Sequence, residues 1–96
     1  MHQFDFEKNF MNLTEFMDKS LYQEAAASME EAIALYAING REVVEAVLLD
    51  IQNLLNRQVP DEELLNYIER HSDYLAEEGA HATFVLIRSI LNDQLV

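Results

Sequence analysis

Ninety-six residues are enough for one small domain with a single core. Half of the residues are apolar and only three are glycine or proline. This composition excludes a disordered tail, a collagenous repeat and a turn-rich β-sandwich. The absence of cysteine excludes disulfides, thiolate metal sites and a cysteine nucleophile. Eighteen acidic and six basic side chains give a formal net charge of −12, which repels nucleic acid and anionic membranes and favours basic partners.

The amino terminus reads MHQFDFEKNF, with an acidic residue where a signal peptide carries basic ones and with no apolar stretch after it. The most apolar run, residues 32–38, is about a third of the length needed to cross a membrane. We therefore expect a soluble chain that stays in the cytoplasm.

The first predicted helix covers residues 4–19, with Asp5 near its start. Its apolar positions recur at intervals of three and four, the spacing of an amphipathic helix: Phe6, Phe10, Leu13, Phe16 and Met17. Residues 20–27 contain three alanines but no clean apolar stripe. This segment is predicted to be a helix extension or a turn.

A second helix is predicted at residues 29–38. It follows a capping box in which the Ser28 hydroxyl can accept from the Glu31 amide, and it stops at Asn39-Gly40, a left-handed helix end. This segment is apolar nearly all round. We expect it to be sandwiched between other helices, since a small domain needs its apolar side chains; an exposed partner groove is the less favoured interpretation.

The central helix is predicted at residues 39–57, and every other segment should pack against it. Its apolar stripe consists of Val43, Val44, Val47, Leu48, Ile51, Leu54 and Leu55. The opposite face should meet water and consists of Arg41, Glu42, Glu45, Asp50, Asn53 and Asn56. We expect Val44, Val47, Leu48, Ile51, Leu54 and Leu55 in the core.

Two more helices complete the predicted fold. One starts after Pro60 with three carboxylates suited to a helix amino terminus, buries Leu64, Leu65 and Ile68, and fades near Arg70-His71. Residues 71–80 form a connection, and the last helix runs from about 81 to 94 with Phe84, Ile87, Ile90 and Leu91 inward. The sequence thus predicts an all-α fold: a single compact domain, residues 1–96, of about five helices around the central helix at 39–57.

A search for catalytic and ligand-binding patterns finds none. His2, His71 and His81 form no recognised metal pattern and are expected to be solvated surface residues. Two glycines cannot build a phosphate-binding or dinucleotide-binding loop, and no serine lies in a nucleophile elbow. Adjacent carboxylates such as Glu62 and Glu63 point in different directions on a helix. We therefore expect no enzymatic activity, no metal and no cofactor; a small hydrolase is a remote alternative.

The carboxyl-terminal half carries the largest acidic excess, with eight acidic and two basic side chains in residues 58–96. Its carboxylates cluster at a helix start and in the following connection, where a tyrosine could serve as an apolar anchor. The predicted protein-binding residues are Asp61, Glu62, Asp73, Tyr74, Glu77 and Glu78. A merely solubilising surface is the competing interpretation. Glu24, Glu30 and Glu31 are the next candidates, and Tyr67 is predicted to be a core residue.

The order of these elements resembles the small acidic immunity proteins of bacterial contact-dependent growth inhibition systems. The resemblance is carried by Phe16 and Asp18, SMEEAI from residue 28, IQNLL from residue 51, PDEEL from residue 60, Tyr74, and the segment from Phe84 to Leu91. It implies a cytoplasmic, non-catalytic antidote that forms a heterodimer with the toxin domain of its own system, often a basic nuclease. Such antidotes block the toxin's active site or the approach of its substrate. They share no universal contact residues, so the resemblance assigns none here.

A second hypothesis belongs to a different functional class. The apolar helix at residues 29–38 could join an oligomer or a larger assembly, which would make the chain a non-catalytic helical adaptor or regulatory subunit. Copurification separates the two hypotheses, because an antidote should form a tight heterodimer with the product of a neighbouring reading frame.

Overall fold

In the computed structural model, which describes residues 5–21, 28–73 and 78–95, the chain forms six α-helices and no strand. Their bounds are α1 Phe6–Asn9, α2 Met11–Ser20, α3 Met29–Ala37, α4 Arg41–Asn56, α5 Asp61–His71 and α6 Ala80–Asp93. The predicted all-α single domain is confirmed. Helix α4 packs against α2, α3 and α6, while α5 packs against α6 and α2. All six helices contribute buried side chains to one core.

The described residues form six helices, one more than the predicted five, because the first predicted helix is interrupted at Phe10. Asp5 caps the short α1 by accepting from the Lys8 amide at 2.9 Å. Phe10 then leaves the helical conformation, with φ −128° and ψ 58°, and its ring is buried. The break lets both Phe6 and Phe10 enter the core, where their ring centroids lie 6.3 Å apart. Burial of two aromatic rings thus overrides a continuous helical pattern.

Helix α3 starts as predicted and packs on one side only. The Ser28 hydroxyl accepts from the Glu31 amide at 3.1 Å, which confirms the cap. Met29, Ala32, Ile33 and Tyr36 are buried, but Leu35 is 50% exposed and Ile38, just beyond the helix, is 79% exposed. The expectation of a sandwiched helix was wrong. Helices α2, α4 and α6 contact α3, and Ala34 and Leu35 of α3 are left exposed by the described residues.

The core prediction for α4 is confirmed at four of six positions. Val44, Val47, Ile51 and Leu54 are buried, whereas Leu48 and Leu55 are only partly covered at the edge of the stripe. Gly40 precedes the helix with φ +122°, a conformation that favours glycine, as the Asn39-Gly40 signal indicated.

Asp50 was expected to face water, and this expectation was wrong. The residue is only 9% exposed, and its Oδ2 accepts a hydrogen bond from the Leu13 amide at 3.0 Å. Leu13 lies in the first turn of α2, where the residue before the helix, Phe10, supplies no side-chain cap. A carboxylate on α4 therefore caps α2 from a distance in sequence.

The last two helices bury the side chains that the pattern selected. On α5 these are Leu64, Tyr67 and Ile68, with Leu65 partly covered; on α6 they are Phe84, Ile87, Ile90 and Leu91. Tyr67 lies between the rings of Phe6 and Phe84, with centroid distances of 4.8 and 6.0 Å. The prediction that Tyr67 is a core residue is confirmed.

Candidate binding surface

The start of α5 and the start of α6 are joined by Asp61. One carboxylate oxygen, Oδ1, accepts from the His81 amide at 2.8 Å, and Oδ2 lies 3.4 Å from the Ala80 amide. These are the first amides of α6, and Gly79, which precedes them with φ +113°, lacks a side chain that could cap them. Asp61, predicted as a partner contact, therefore also holds two helices together.

Three other acidic residues of the predicted surface lie within the described part of the chain, and all three are exposed to solvent. Glu62, Asp73 and Glu78 are exposed, and their side chains make no hydrogen bond or ion pair to another described residue. The backbone at Asp73 is anchored, since its amide donates to the Leu21 carbonyl at 3.0 Å. Tyr74 and Glu77 lie outside the described residues.

These carboxylates do not form one compact cluster. The Asp61 cap brings Glu78 next to the start of α5, where Glu62 also lies. Asp73 follows the other end of α5, and a helix of 11 residues is about 16 Å long at about 1.5 Å per residue. The acidic surface therefore extends along α5.

A second polar cluster, which the sequence did not indicate, surrounds His71. Its Nδ1 lies 2.6 Å from Asp18 Oδ1 on α2, and its Nε2 lies 3.2 Å from Glu7 Oε1 on α1. Arg70 Nη2 reaches the same Glu7 oxygen at 2.7 Å. The His71 side chain is only 15% exposed, and its ring packs edge-on against Tyr67. The expectation that His71 is a solvated surface residue was wrong.

The two ring nitrogens of His71 each face a carboxylate oxygen, Asp18 on one side and Glu7 on the other. Partial burial raises the pKa of Glu7, but the hydrogen bonds from His71 and Arg70 outweigh it and hold that pKa below its ordinary value of 4.5. The cluster ties α1 and α2 to the end of α5.

The hydroxyl of Tyr67 is occupied by a structural contact. It lies 2.6 Å from the Thr14 hydroxyl on α2, and burial raises the pKa of the phenol well above its usual range, which this hydrogen bond only partly offsets. The group therefore stays neutral. It joins α5 to α2.

The outward face of α6 carries an apolar groove. Among the described residues it is lined by Glu78, His81, Ala82, Val85, Leu86 and Ser89, and its volume is about 540 Å³. Leu86 is 40% exposed there. The sequence pattern predicts only an inward face for α6, with Phe84, Ile87, Ile90 and Leu91. A signal was present, because Ala82, Val85, Leu86 and Ser89 recur at the same three- and four-residue spacing on the other side.

The described part of the chain offers no metal site: no group of three or more His, Asp or Glu side chains is placed to hold an ion. No helix within the same residues is long and apolar enough to span a membrane. His81 is exposed, as expected, and His2 lies outside the described residues.

Comparison of the chain with models of known families, with curated proteins and with solved structures gave no match. Function has therefore to be inferred from the surface of the chain itself.

Proposed function

We propose that this chain is an immunity protein: a non-catalytic inhibitor that binds and neutralises the toxin domain of a contact-dependent growth inhibition system in the cytoplasm. The partner is a basic protein, in the first instance a nuclease, and the complex is a heterodimer. The observation that carries the proposal is the acidic excess, −12 on 96 residues, displayed on a small helical domain.

The charge supports a protein partner more than a small molecule. Exposed carboxylates such as Glu62, Asp73 and Glu78 are spread along an element of about 16 Å, a scale that suits a protein surface. A basic nuclease presents positive potential where it binds its own acidic substrate, so an acidic protein is attracted to that region. Electrostatic steering of this kind raises association rates by about 10-fold to 1,000-fold at low salt.

The polar clusters support inhibition without catalysis. His71, the buried Tyr67 hydroxyl and Asp50 are all engaged in contacts between helices. Groups committed in this way stabilise the fold and are not poised toward a substrate. The proposal therefore assigns the chain no catalytic residue and no cofactor.

The direct test is coexpression with the product of the adjacent reading frame, fused to an affinity tag. We expect a one-to-one complex that survives purification, and loss of the partner's toxicity and enzymatic activity when this chain is added. Failure of the purified proteins to associate at micromolar concentration, with toxicity unchanged, would falsify the proposal.

Charge reversal gives a second test. The triple variant Glu62→Lys, Asp73→Lys and Glu78→Lys should slow association about tenfold or more at low salt, and the difference should shrink as salt screens the charges. Stopped-flow or surface plasmon resonance at several salt concentrations measures this.

The matched control reverses Glu30, Glu31 and Glu42, which are also exposed and change the net charge equally. If only the control variant slows association, the interface lies at α3 and the start of α4 instead. Equal slowing by both triples indicates general steering with no defined acidic patch.

A specific observation also favours the alternative, an adaptor or regulatory subunit. Leu35 and Ile38 leave an apolar face of α3 uncovered, as a helix that joins a larger assembly would. Light scattering of the purified chain tests this. A stable oligomer that the substitution Ile38→Glu returns to monomers would favour the adaptor; a monomer with or without this change would not.

A further inference from the structure

Helix α6 has two apolar faces, and the fold uses only one of them. Phe84, Ile87 and Leu91 are fully buried in the core. On the other side, Ala82, Val85 and Leu86 line the groove of about 540 Å³, and Leu86 is 40% exposed. This volume is within the range of about 300–1,000 Å³ of known ligand sites. The groove is thus large enough to receive several apolar side chains of a partner.

The outer stripe of α6 is apolar in the middle and acidic at both ends. Glu78 precedes the helix and lines one end of the groove, and Asp93, exposed in the last turn, lies four residues beyond Ser89 on the same side. The 14 residues of α6 span about 21 Å at about 1.5 Å per residue. A partner that matches this surface carries apolar side chains between two positive charges about 20 Å apart.

The start of the groove is held in place by the Asp61 cap. Because Asp61 binds the amides of Ala80 and His81, the end of the groove that Glu78 lines is fixed relative to α5. A preformed site avoids part of the ordering cost of binding.

We propose that this groove is the toxin-docking site, and that its occupant is a cationic amphipathic helix of the partner, with apolar side chains seated on Val85 and Leu86 and with Lys or Arg facing Glu78 and Asp93. An apolar groove with Glu78 at one end and Asp93 beyond the other suits the recognition mode in which a helix lays its apolar face into a partner. This inference rests on the proposed function and identifies the surface by which it is carried out.

Two substitutions test the groove directly. Ala82→Arg places a long side chain in it and should weaken binding of the adjacent-frame toxin domain about 100-fold or more. Leu86→Ala should weaken it about tenfold, mainly through faster dissociation. The matched control is Leu49→Ala on α4, whose side chain is 62% exposed and outside the groove; we expect a change of less than about twofold. Thermal melts of all three variants, unchanged within a few degrees, show that the fold is intact.

A defined probe makes the test independent of the natural toxin. A short fluorescent peptide of leucine and lysine in helical register should bind the wild-type chain, and Ala82→Arg should abolish this. The same composition in scrambled order should bind at least tenfold more weakly, because its apolar side chains do not share one face. Equal binding of both peptides, or binding unaffected by Ala82→Arg, overturns the inference.

The outcomes separate this inference from the proposed function. If the wild-type chain neutralises the toxin and the α6 variants do so equally well, the docking site lies elsewhere while the function stands. If the wild-type chain binds the peptide but not the toxin, the proposed function is wrong, whereas the groove is still a binding site for a cationic amphipathic helix. If the chain forms dimers that Ala82→Arg disrupts, the groove is an interface between two copies and the inference is wrong.

Discussion

Replacement of Asp50 tests the most unexpected contact in the fold. Asp50→Ala removes the acceptor of the Leu13 amide, a hydrogen bond of 3.0 Å between α4 and α2. Helix α2 has no side-chain cap of its own at Phe10, so its first turn loses the side chain that satisfies this amide. Loss of a helix cap costs about 0.5–2 kcal/mol, and a buried unsatisfied donor costs about 1–3 kcal/mol. Because these two costs describe the same contact, they are not added. We expect Asp50→Ala to lower the free energy of unfolding by about 2 kcal/mol in total.

The assay is reversible unfolding by urea and by heat, followed by circular dichroism. A loss of about 2 kcal/mol lowers the melting temperature of a domain of this size by roughly 8–16 °C. Amide exchange adds a local readout, because the Leu13 amide should lose more protection than its neighbours in α2. The slope of free energy against urea should stay the same, since the same surface is exposed on unfolding.

Two variants control this experiment. Asp50→Asn keeps an oxygen that can accept from Leu13 and removes the charge, so it should cost about half as much as the alanine variant. Asn53→Ala removes an exposed polar side chain from the same helix and should stay within about 0.5 kcal/mol. A loss below about 0.5 kcal/mol for Asp50→Ala would refute the long-range cap. Equal losses for the alanine and asparagine variants would show that charge, and not the hydrogen bond, is the stabilising feature.

Two further predictions concern the core and the His71 cluster. Ile51→Ala, at a fully buried position, should cost about 2–5 kcal/mol in urea unfolding, whereas Leu48→Ala, at a partly covered one, should cost clearly less; equal costs would place both side chains at the same depth. Because the pKa of Glu7 is lower in the folded state than its ordinary value of 4.5, Glu7 contributes stability that is complete above about pH 4.5 and is lost as the pH falls through the folded pKa. The stability gap between wild type and Glu7→Gln should therefore narrow as the pH is lowered through this window, and a constant gap from pH 7 to pH 3 would contradict the contact.

The fold was predictable wherever one local pattern decided it. Three features depend on residues a few positions apart: the Ser28 cap and the inward face of α6, which are confirmed, and the stripe of α4, which is confirmed at four of six core positions. The break at Phe10 was not predictable in this way. The pattern through Phe6 and Phe10 is compatible with one helix, and the interruption arises because both rings pack in the core, one of them on the distant Tyr67.

The polar contacts were not predictable, because they join residues far apart in sequence. Asp50 and Leu13 are 37 positions apart, and His71 is 53 positions from Asp18. An amphipathic pattern assigns each charged residue to water on the basis of its own helix alone. A neighbouring helix that offers an unpaired amide or a carboxylate can bury that residue instead. The residues close to it in sequence do not indicate which helix will pack beside it.

The acidic side chains therefore fall into two groups that should be tested by different experiments. Asp50, Asp61 and Glu7 accept hydrogen bonds that join helices, so replacing them changes stability and, at Asp61, the start of the α6 groove. Glu62 and Glu78 project from the surface without such contacts to described residues, so reversing them changes the field that a partner meets while the packing is kept. A binding defect caused by an Asp61 variant is consequently ambiguous, because a loosened α6 weakens docking even if Asp61 never touches the toxin. The same defect in Glu78→Lys, with an unchanged melting temperature and no matching defect when Glu30, Glu31 and Glu42 are reversed, is a local electrostatic effect and locates the partner at the end of the groove.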